Sequence, residues 1–323
     1  MTKPSISATS AETHEMSSKI EPPSFGTYPR NDQRPYWPQA FRPVIFLMAV
    51  ALALSAMVMI PLALRAGKAH HALEVTGYVG GLSMMALLSV TALRESGFRH
   101  VRRSSRIHRI HDPRHGDGII VPMRRGLTAP VMIVLLGGAV YGVAASTLWF
   151  IAGNTSLLPE GRDTPRNALL VAVLAAVALL LSSILLAIRI EFAVRIFREG
   201  IERHTRRRIF FSDKEFRIFL PWVDITSVDA EMNADLGRHP SIGLRTARPI
   251  PEGQRTPHDS DDRIAVLAHA LAAEPNTLVR LLQGMKENPE KRPEVERPDS
   301  EDLLRPPPLR ERFRAARRRK ASR

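Results

Sequence analysis

The sequence predicts a bundle of four transmembrane helices followed by a small α+β domain, with disordered tails. Three observations carry this. Pro43–Leu64, Leu73–Leu93, Leu127–Ile151 and Ala168–Ile188 are apolar runs without a charge in their central spans. Basic residues are divided unequally among the connecting segments, and the apolar runs give way after Ile190 to short alternating segments. Each run has about the 20 residues that a helix needs to cross roughly 30 Å of hydrocarbon. Helices satisfy their own backbone there, so these segments should be helical.

The first 42 residues are polar and contain prolines, which predicts a disordered tail and an uncleaved first span. Tyr36, Trp37 and Phe41 precede that span and Trp149 and Phe150 close the third, positions where amphipathic rings prefer the headgroup level. The first membrane domain therefore covers 43–190. Its cores contain no ionisable group: Glu74, Arg94 and Glu95 lie at span edges. The interior polar groups are hydroxyls, among them Thr76, Tyr78, Ser83, Ser89, Tyr141, Ser146, Ser182 and Ser183, and hydroxyls can bond to their own helix. Ion-coupled transport is disfavoured. Flux of an uncharged substrate, along a path lined by Tyr78, Ser83, Tyr141 and Ser146, is the alternative left open.

Gly77 and Gly81, Gly138 and Gly142, and Ala172 and Ala176 are spaced four apart, which places each pair on one helix face for close packing. The primary reading is packing inside one bundle, and the secondary reading is a homodimer seam.

The connection 94–126 carries nine arginines, whereas the links on either side of it hold few charges. The positive-inside rule places this connection and both termini in the cytoplasm of a multi-pass cell-membrane protein. His108, His111 and His115 with Asp112 have a helical spacing suited to a metal, and His100 lies nearby, but Pro113 and Gly116 break such a helix and the arginines repel a cation. A juxtamembrane polybasic segment with Arg102, Arg103, Arg106 and Arg109 meeting anionic lipid headgroups is the better reading.

Beyond Ile190, Glu191–Arg198 and Ile209–Leu220 alternate as strands, with turns expected at Arg198-Glu199-Gly200 and Ser212-Asp213-Lys214. Ser241–Thr246 and Arg263–Leu267 add two strand candidates, and the stretch 232–262 is polar and irregular. Glu274-Pro275 opens a helix over Pro275–Glu287 whose apolar face is Leu278, Leu281, Leu282 and Met285. Trp222, Ile225 and Val228 are expected in the core, and Asp224 in a turn. Arg203, Arg206, Arg207 and Arg208 form a basic strand edge expected to face headgroups. Asp259, Asp261 and Asp262 read as a flexible acidic loop rather than a cation site.

Phe197-Arg198-Glu199-Gly200-Ile201 followed by Leu220-Pro221-Trp222-Val223-Asp224-Ile225-Thr226-Ser227-Val228 resembles the bacterial pleckstrin-homology-like domains of membrane proteins. Together with the multi-pass helices and the Glu274–Arg292 helix segment, the arrangement is similar to multi-pass membrane proteins of actinobacteria. The resemblance covers about 190–288. It implies a bent sheet closed by a C-terminal helix, acting as a protein- or lipid-binding platform without catalysis, over a domain at 191–288.

The tail 289–323 is expected to be disordered. Its last stretch, including Arg317, Arg318 and Arg319, is strongly basic, with Leu309, Phe313 and Ala316 as a thin apolar side that forms a helix on an anionic surface. The formal charge of +14 concentrates on the expected cytoplasmic side and points to anionic lipid or an acidic protein partner. Nucleic acid ranks below these, because no stacking aromatics or reading module accompany the charge. Zero cysteines exclude disulfides and thiolate chemistry. No GxSxG, HExxH or phosphate-cradling motif is present, so neither an enzyme nor a cofactor is expected.

Overall fold

The computed structural model describes residues 35–124, 128–153, 155–158, 161, 163–209, 212–233 and 239–321. The expected disordered segment 1–34, together with Arg125, Arg162 and Arg323, lies outside them. Four helices are long and apolar enough to span a membrane: α1 (Pro43–Lys68), α2 (Ala72–Glu95), α3 (Thr128–Ala152) and α4 (Pro165–Ala187). Proline at the first turn of α1 and α4 lacks only an amide that has no helical partner. The Thr164 side chain caps α4 by accepting from the Asn167 amide at 3.3 Å.

Helices adjacent in sequence pack on one another, α1 on α2, α2 on α3 and α3 on α4. Ala66 of α1, Tyr78 of α2 and Ala144 and Ala145 of α3 share one buried cluster with Leu157, against which Val171 of α4 packs. The small residues are used at these contacts. Gly77 faces Leu157 and Ala144, Gly81 faces Tyr141 and Met59, Gly138 faces Met84, and Gly142 faces Ala175 and Val171. Helix backbone meets helix backbone most closely at the crossing of Gly80 and Gly137, which the four-residue spacing does not single out.

The connection between α2 and α3 is not a solvated polybasic loop. It folds as a hairpin of β1 (His108–Asp112) and β2 (Gly116–Pro122). β2 pairs antiparallel with β3 (Ile188–Phe197), and β4 (Gly200–Ile209) and β5 (Ser212–Pro221) complete a five-stranded sheet in the order β1-β2-β3-β4-β5. The reason is apolar: Ile119 and Val121 are fully buried, against a sheet whose core includes Val194, Ile196 and Phe197. The sheet domain thus draws strands from both sides of α3 and α4, and its boundary extends beyond 191–288. Ile119→Ala is therefore expected to lower unfolding free energy by about 2–5 kcal/mol, as for any large-to-small core change. A solvated loop would change by under about 0.5 kcal/mol, and denaturant unfolding of the full chain followed by tryptophan fluorescence tells them apart.

The turn expected at Ser212-Asp213-Lys214 is strand instead. Ser212 pairs with Ile209, Asp213 with Arg208 and Lys214 with Arg207. β4 escaped the alternation because charged side chains occupy both its faces.

A second antiparallel sheet, β6 (Ile225–Asn233), β7 (His239–Thr246) and β8 (Arg263–Val266), follows. The strand candidates Ser241–Thr246 and Arg263–Leu267 are thus found in β7 and β8, the first of them inside the otherwise irregular stretch 232–262. Helix α5 (Pro275–Glu287) covers this sheet with Leu278, Leu281, Leu282 and Met285 buried, and Glu274 caps it by accepting from the Thr277 amide at 2.6 Å. Trp222 is buried and donates from Nε1 to the Phe197 carbonyl at 3.1 Å, tying the two sheets together. Ile225 and Val228 are buried, and the Asp224 carbonyl accepts from the Ala247 amide.

The tails are structured where described. Pro289–Glu296 and Ser300–Leu304 are 3₁₀ turns that bury Val295 and Leu304, and α6 (Leu309–Ala321) follows. Phe313 of α6 packs with Phe41 and Phe98 at the start of α1 and the end of α2, with ring centroids 6.1 and 6.3 Å away. Trp37 is held by the sheet domain: its indole donates to the Glu231 carbonyl at 3.1 Å and its amide to Asn276 at 3.0 Å. Residues with widely spaced apolar anchors give no periodic signal, so these segments read as disordered although each finds a distant partner.

Candidate functional site

The segment before α1, the α2–α3 connection and the chain after α4 all leave the helices at one end, where the sheet domain lies. α4 runs into β3 with no linker, since Ile188 is both the helix C-cap and the first strand residue. Register then fixes what lies level with the helix end: Arg189 is opposite Arg208, Ile190 opposite Arg207, and Glu191 opposite Arg206. Arg189, Arg207, Arg208 and Lys214 are exposed there. Arg206 is neutralised by Asp213, with Nη2 at 2.6 Å from Oδ2, and this hydrogen bond raises its pKa.

Arg203 does not belong to that edge. It is buried at 1% exposure and paired with Asp259, which is itself no part of a flexible acidic loop. β4 turns residue 203 inward by strand alternation, and the buried carboxylate supplies the charge an interior guanidinium requires. Arg255 pairs with Asp261 and Arg245 with Asp262.

The loop arginines are similarly dispersed. Arg102 is exposed. Arg103 bridges to Glu301 and Asp302 at 2.8 and 3.0 Å, and Arg106 donates to the Met123 carbonyl. Arg109 donates to Asp117 at 3.2 Å and to the Glu296 carbonyl at 3.1 Å. Glu301 and Asp302 after α5 thus neutralise Arg103, and Asp117 of β2 neutralises Arg109. Arg317 and Arg318 are exposed on α6, and the Arg319 side chain lies outside the described residues.

The histidines lie in a strand hairpin, so helical spacing does not apply to them. His111 contacts Asp117 at 2.8 Å, and His115 stacks on Phe219 with centroids 3.8 Å apart. Asp112, His115, Glu202, Arg217 and Phe219 line a cleft of about 410 Å³. Arg195 lies 3.2 Å from Glu202 and 3.9 Å from Asp112, and Arg217 bonds to Glu202 and lies 3.7 Å from Asp112. The Arg114 amide above all holds Asp112 below the usual carboxylate range. Two carboxylates and two guanidiniums thus share this cleft as one ion-pair network beside His115.

The groups expected to line a path between the helices are occupied. Ser83 and Ser146 bond to carbonyls of their own helices. The Tyr78 and Tyr141 hydroxyls bond to Ser156 and to the Leu157 carbonyl, and Leu157 is buried at 3% exposure beside Gly77 and Ala144.

A basic group that the sequence did not distinguish gathers at the sheet-bearing ends of α1, α2 and α3: Arg42, Arg94, Arg99 and Arg124. Their signal was position, each within a few residues of a span end, rather than local density. Burial first, then the charges of Arg124 and Arg42, lower the Arg99 pKa; burial and Arg94 lower that of Arg124. Burial and Arg124 hold the neighbouring His100 at about 4, against the pull of Glu274, so it is neutral near pH 7.

Comparison with protein-family models, with curated proteins and with solved structures finds no match to this chain.

Proposed function

We infer that the chain is a non-enzymatic multi-pass protein of the cell membrane, holding a pleckstrin-homology-like domain against the cytoplasmic leaflet as a platform for anionic lipid headgroups and a protein partner. The observation that carries this is the linker-free passage from α4 into β3, which keeps Arg189, Arg207 and Arg208 level with the end of an apolar helix. If the four helices span a bilayer, those guanidiniums stand at headgroup depth, where each basic residue gains about 1 kcal/mol from an anionic surface. The arginine-rich end is the cytoplasmic one by the positive-inside rule. Antiparallel strands in two sheets, closed by α5 after the Trp222 segment, fit the layout that the resemblance implies. Two strands from the α2–α3 connection go beyond it and make the domain integral to the membrane part.

A transporter for an uncharged substrate is the competing reading. Leu157 and the internally bonded hydroxyls supply no lined path for it. The platform reading is tested by membrane depth along β4. Single labels at Arg208→Cys and Glu199→Cys, in a chain with no other cysteine, should differ sharply in quenching by headgroup-attached quenchers.

A further inference from the structure

We propose that Arg42, Arg94, Arg99 and Arg124 form a discrete site for the phosphate of an anionic membrane lipid, at the sheet-bearing ends of α1–α3. The proposal rests on the platform reading and names the site at which that platform holds a lipid.

The backbone builds the site from three segments. The Arg42 amide donates to the Ser96 carbonyl at 2.9 Å, joining the start of α1 to the end of α2. The Arg124 amide donates to the Ala270 carbonyl at 2.8 Å, pinning the approach to α3 on the sheet domain. Arg312 of α6 locks the segment between them: Nη1 donates to Gln39 at 2.6 Å and to the Arg99 carbonyl at 3.1 Å, and Nη2 to the His100 carbonyl at 2.8 Å. His100 is held at a positive φ of 49° by this arrangement.

The charges do not balance. Two carboxylates stand near the cluster. Glu95 is taken by Arg99, and buried Glu274 is committed to Thr277 and Asn276 at the start of α5. Among the described residues Arg42, Arg94 and Arg124 have no carboxylate partner. Burial and neighbouring guanidiniums lower the pKa of Arg99 and of Arg124, an arrangement that a bound anion stabilises, and a phosphate accepts several forked hydrogen bonds at once. The start of α1, where no side chain caps the helix, adds its positive end to the same region. Phosphate is the shared chemistry of a lipid headgroup and of the free ion. Placement beside three apolar helices favours the lipid.

The test is binding to the full chain in zwitterionic detergent, with short-chain phosphatidylglycerol and inorganic phosphate titrated separately and bound species counted by native mass spectrometry. The wild-type chain is expected to bind phosphatidylglycerol and to bind inorganic phosphate far more weakly. Arg99→Gln/Arg124→Gln should weaken the lipid by roughly tenfold or more, the scale of losing two charge-assisted hydrogen bonds. Among the described residues the Arg42 side chain has no hydrogen-bond or ion-pair partner, so Arg42→Gln should leave folding intact and still weaken binding several-fold. Arg207→Gln/Arg208→Gln removes only the exposed β4 edge and should weaken the lipid less than Arg99→Gln/Arg124→Gln does; an equal or greater loss there overturns the assignment to the helix ends. Undiminished binding by Arg99→Gln/Arg124→Gln and by Arg42→Gln overturns the site but leaves the β4 depth profile, and hence the platform, standing. Equal affinity for inorganic phosphate overturns the lipid assignment.

Discussion

Replacing Arg203 with methionine is expected to cost about 3–5 kcal/mol of unfolding free energy, because it strands a buried carboxylate. Arg203 and Asp259 are 1% and 0% exposed, and the guanidinium grips both carboxylate oxygens at 2.6 and 2.7 Å. Arg203 also donates to the Gln254 and Ala265 carbonyls, and Asp259 accepts from the Thr256 amide and hydroxyl and from the Ala265 amide. One pair therefore orders the whole connection from β7 to β8 against β4. Burial alone would raise the Asp259 pKa, but the Arg203 hydrogen bonds and charge, with the two amides, bring it below the usual range. A depressed carboxylate pKa stabilises the fold above its unfolded value of about 3.9 and loses that contribution as pH falls through the folded value. Asp259→Asn should be destabilising at pH 7 and should flatten the acid limb of the stability curve below about pH 4. Arg203→Met/Asp259→Leu should recover much of the loss, since an apolar pair leaves no charge unpaired. Denaturant unfolding of the detergent-solubilised chain, followed by tryptophan fluorescence, measures all three. Wild-type stability in Arg203→Met would contradict the buried pair.

The second large effect belongs to the α2–α3 crossing. A Cβ built on Gly80 would lie 2.7 Å from the Gly137 carbonyl oxygen and 2.9 Å from the Tyr141 amide nitrogen. One built on Gly137 would lie 2.8 Å from the Gly80 carbonyl oxygen. These neighbours are backbone and cannot swing aside, so Gly80→Val or Gly137→Val must separate the helices. In lipid, close packing is itself what associates helices, and a loss of about 1–3 kcal/mol or more follows from overpacking. Gly138→Ala supplies the contrast. Its one close neighbour is the flexible Met84 sulfur at 3.1 Å, so it should change stability by less than about 0.5 kcal/mol. Thermal unfolding in one detergent ranks the three variants, and equal behaviour would deny the crossing its role.

What the sequence disclosed follows from how local each signal is. The four long helices declare themselves by uninterrupted hydrophobicity. Helix α5 does so by a proline start and a clear apolar face at Leu278, Leu281, Leu282 and Met285. The hairpin of β1 and β2 was legible only in part: Gly118-Ile119-Ile120-Val121 is a β-branched run, but the surrounding arginines drew it into a polybasic reading. Its partner β3 lies on the far side of two helices, and no local pattern reveals such a pairing. Arg203 was assigned to a lipid-facing edge because Asp259 is 56 residues away. Arg103 reads as free for the same reason, because its carboxylate partners Glu301 and Asp302 stand in the tail. Charge density in a sequence thus overstated the basic surface. Pairing removed much of the density and left the residues at the helix ends.

A sheet domain fixed with one end of β4 at the headgroups holds residue 208 of β4 and residue 199, in the turn before β4, at different depths, and labels at these two positions read that difference. About nine residues at 3.3 Å separate positions 199 and 208, roughly 30 Å along an extended strand. In vesicles containing quencher-bearing lipids, a fluorophore at residue 208 should be strongly quenched and one at 199 should remain near its unquenched intensity. Equal quenching at both positions, or none at 208, would contradict the placement and the function built on it.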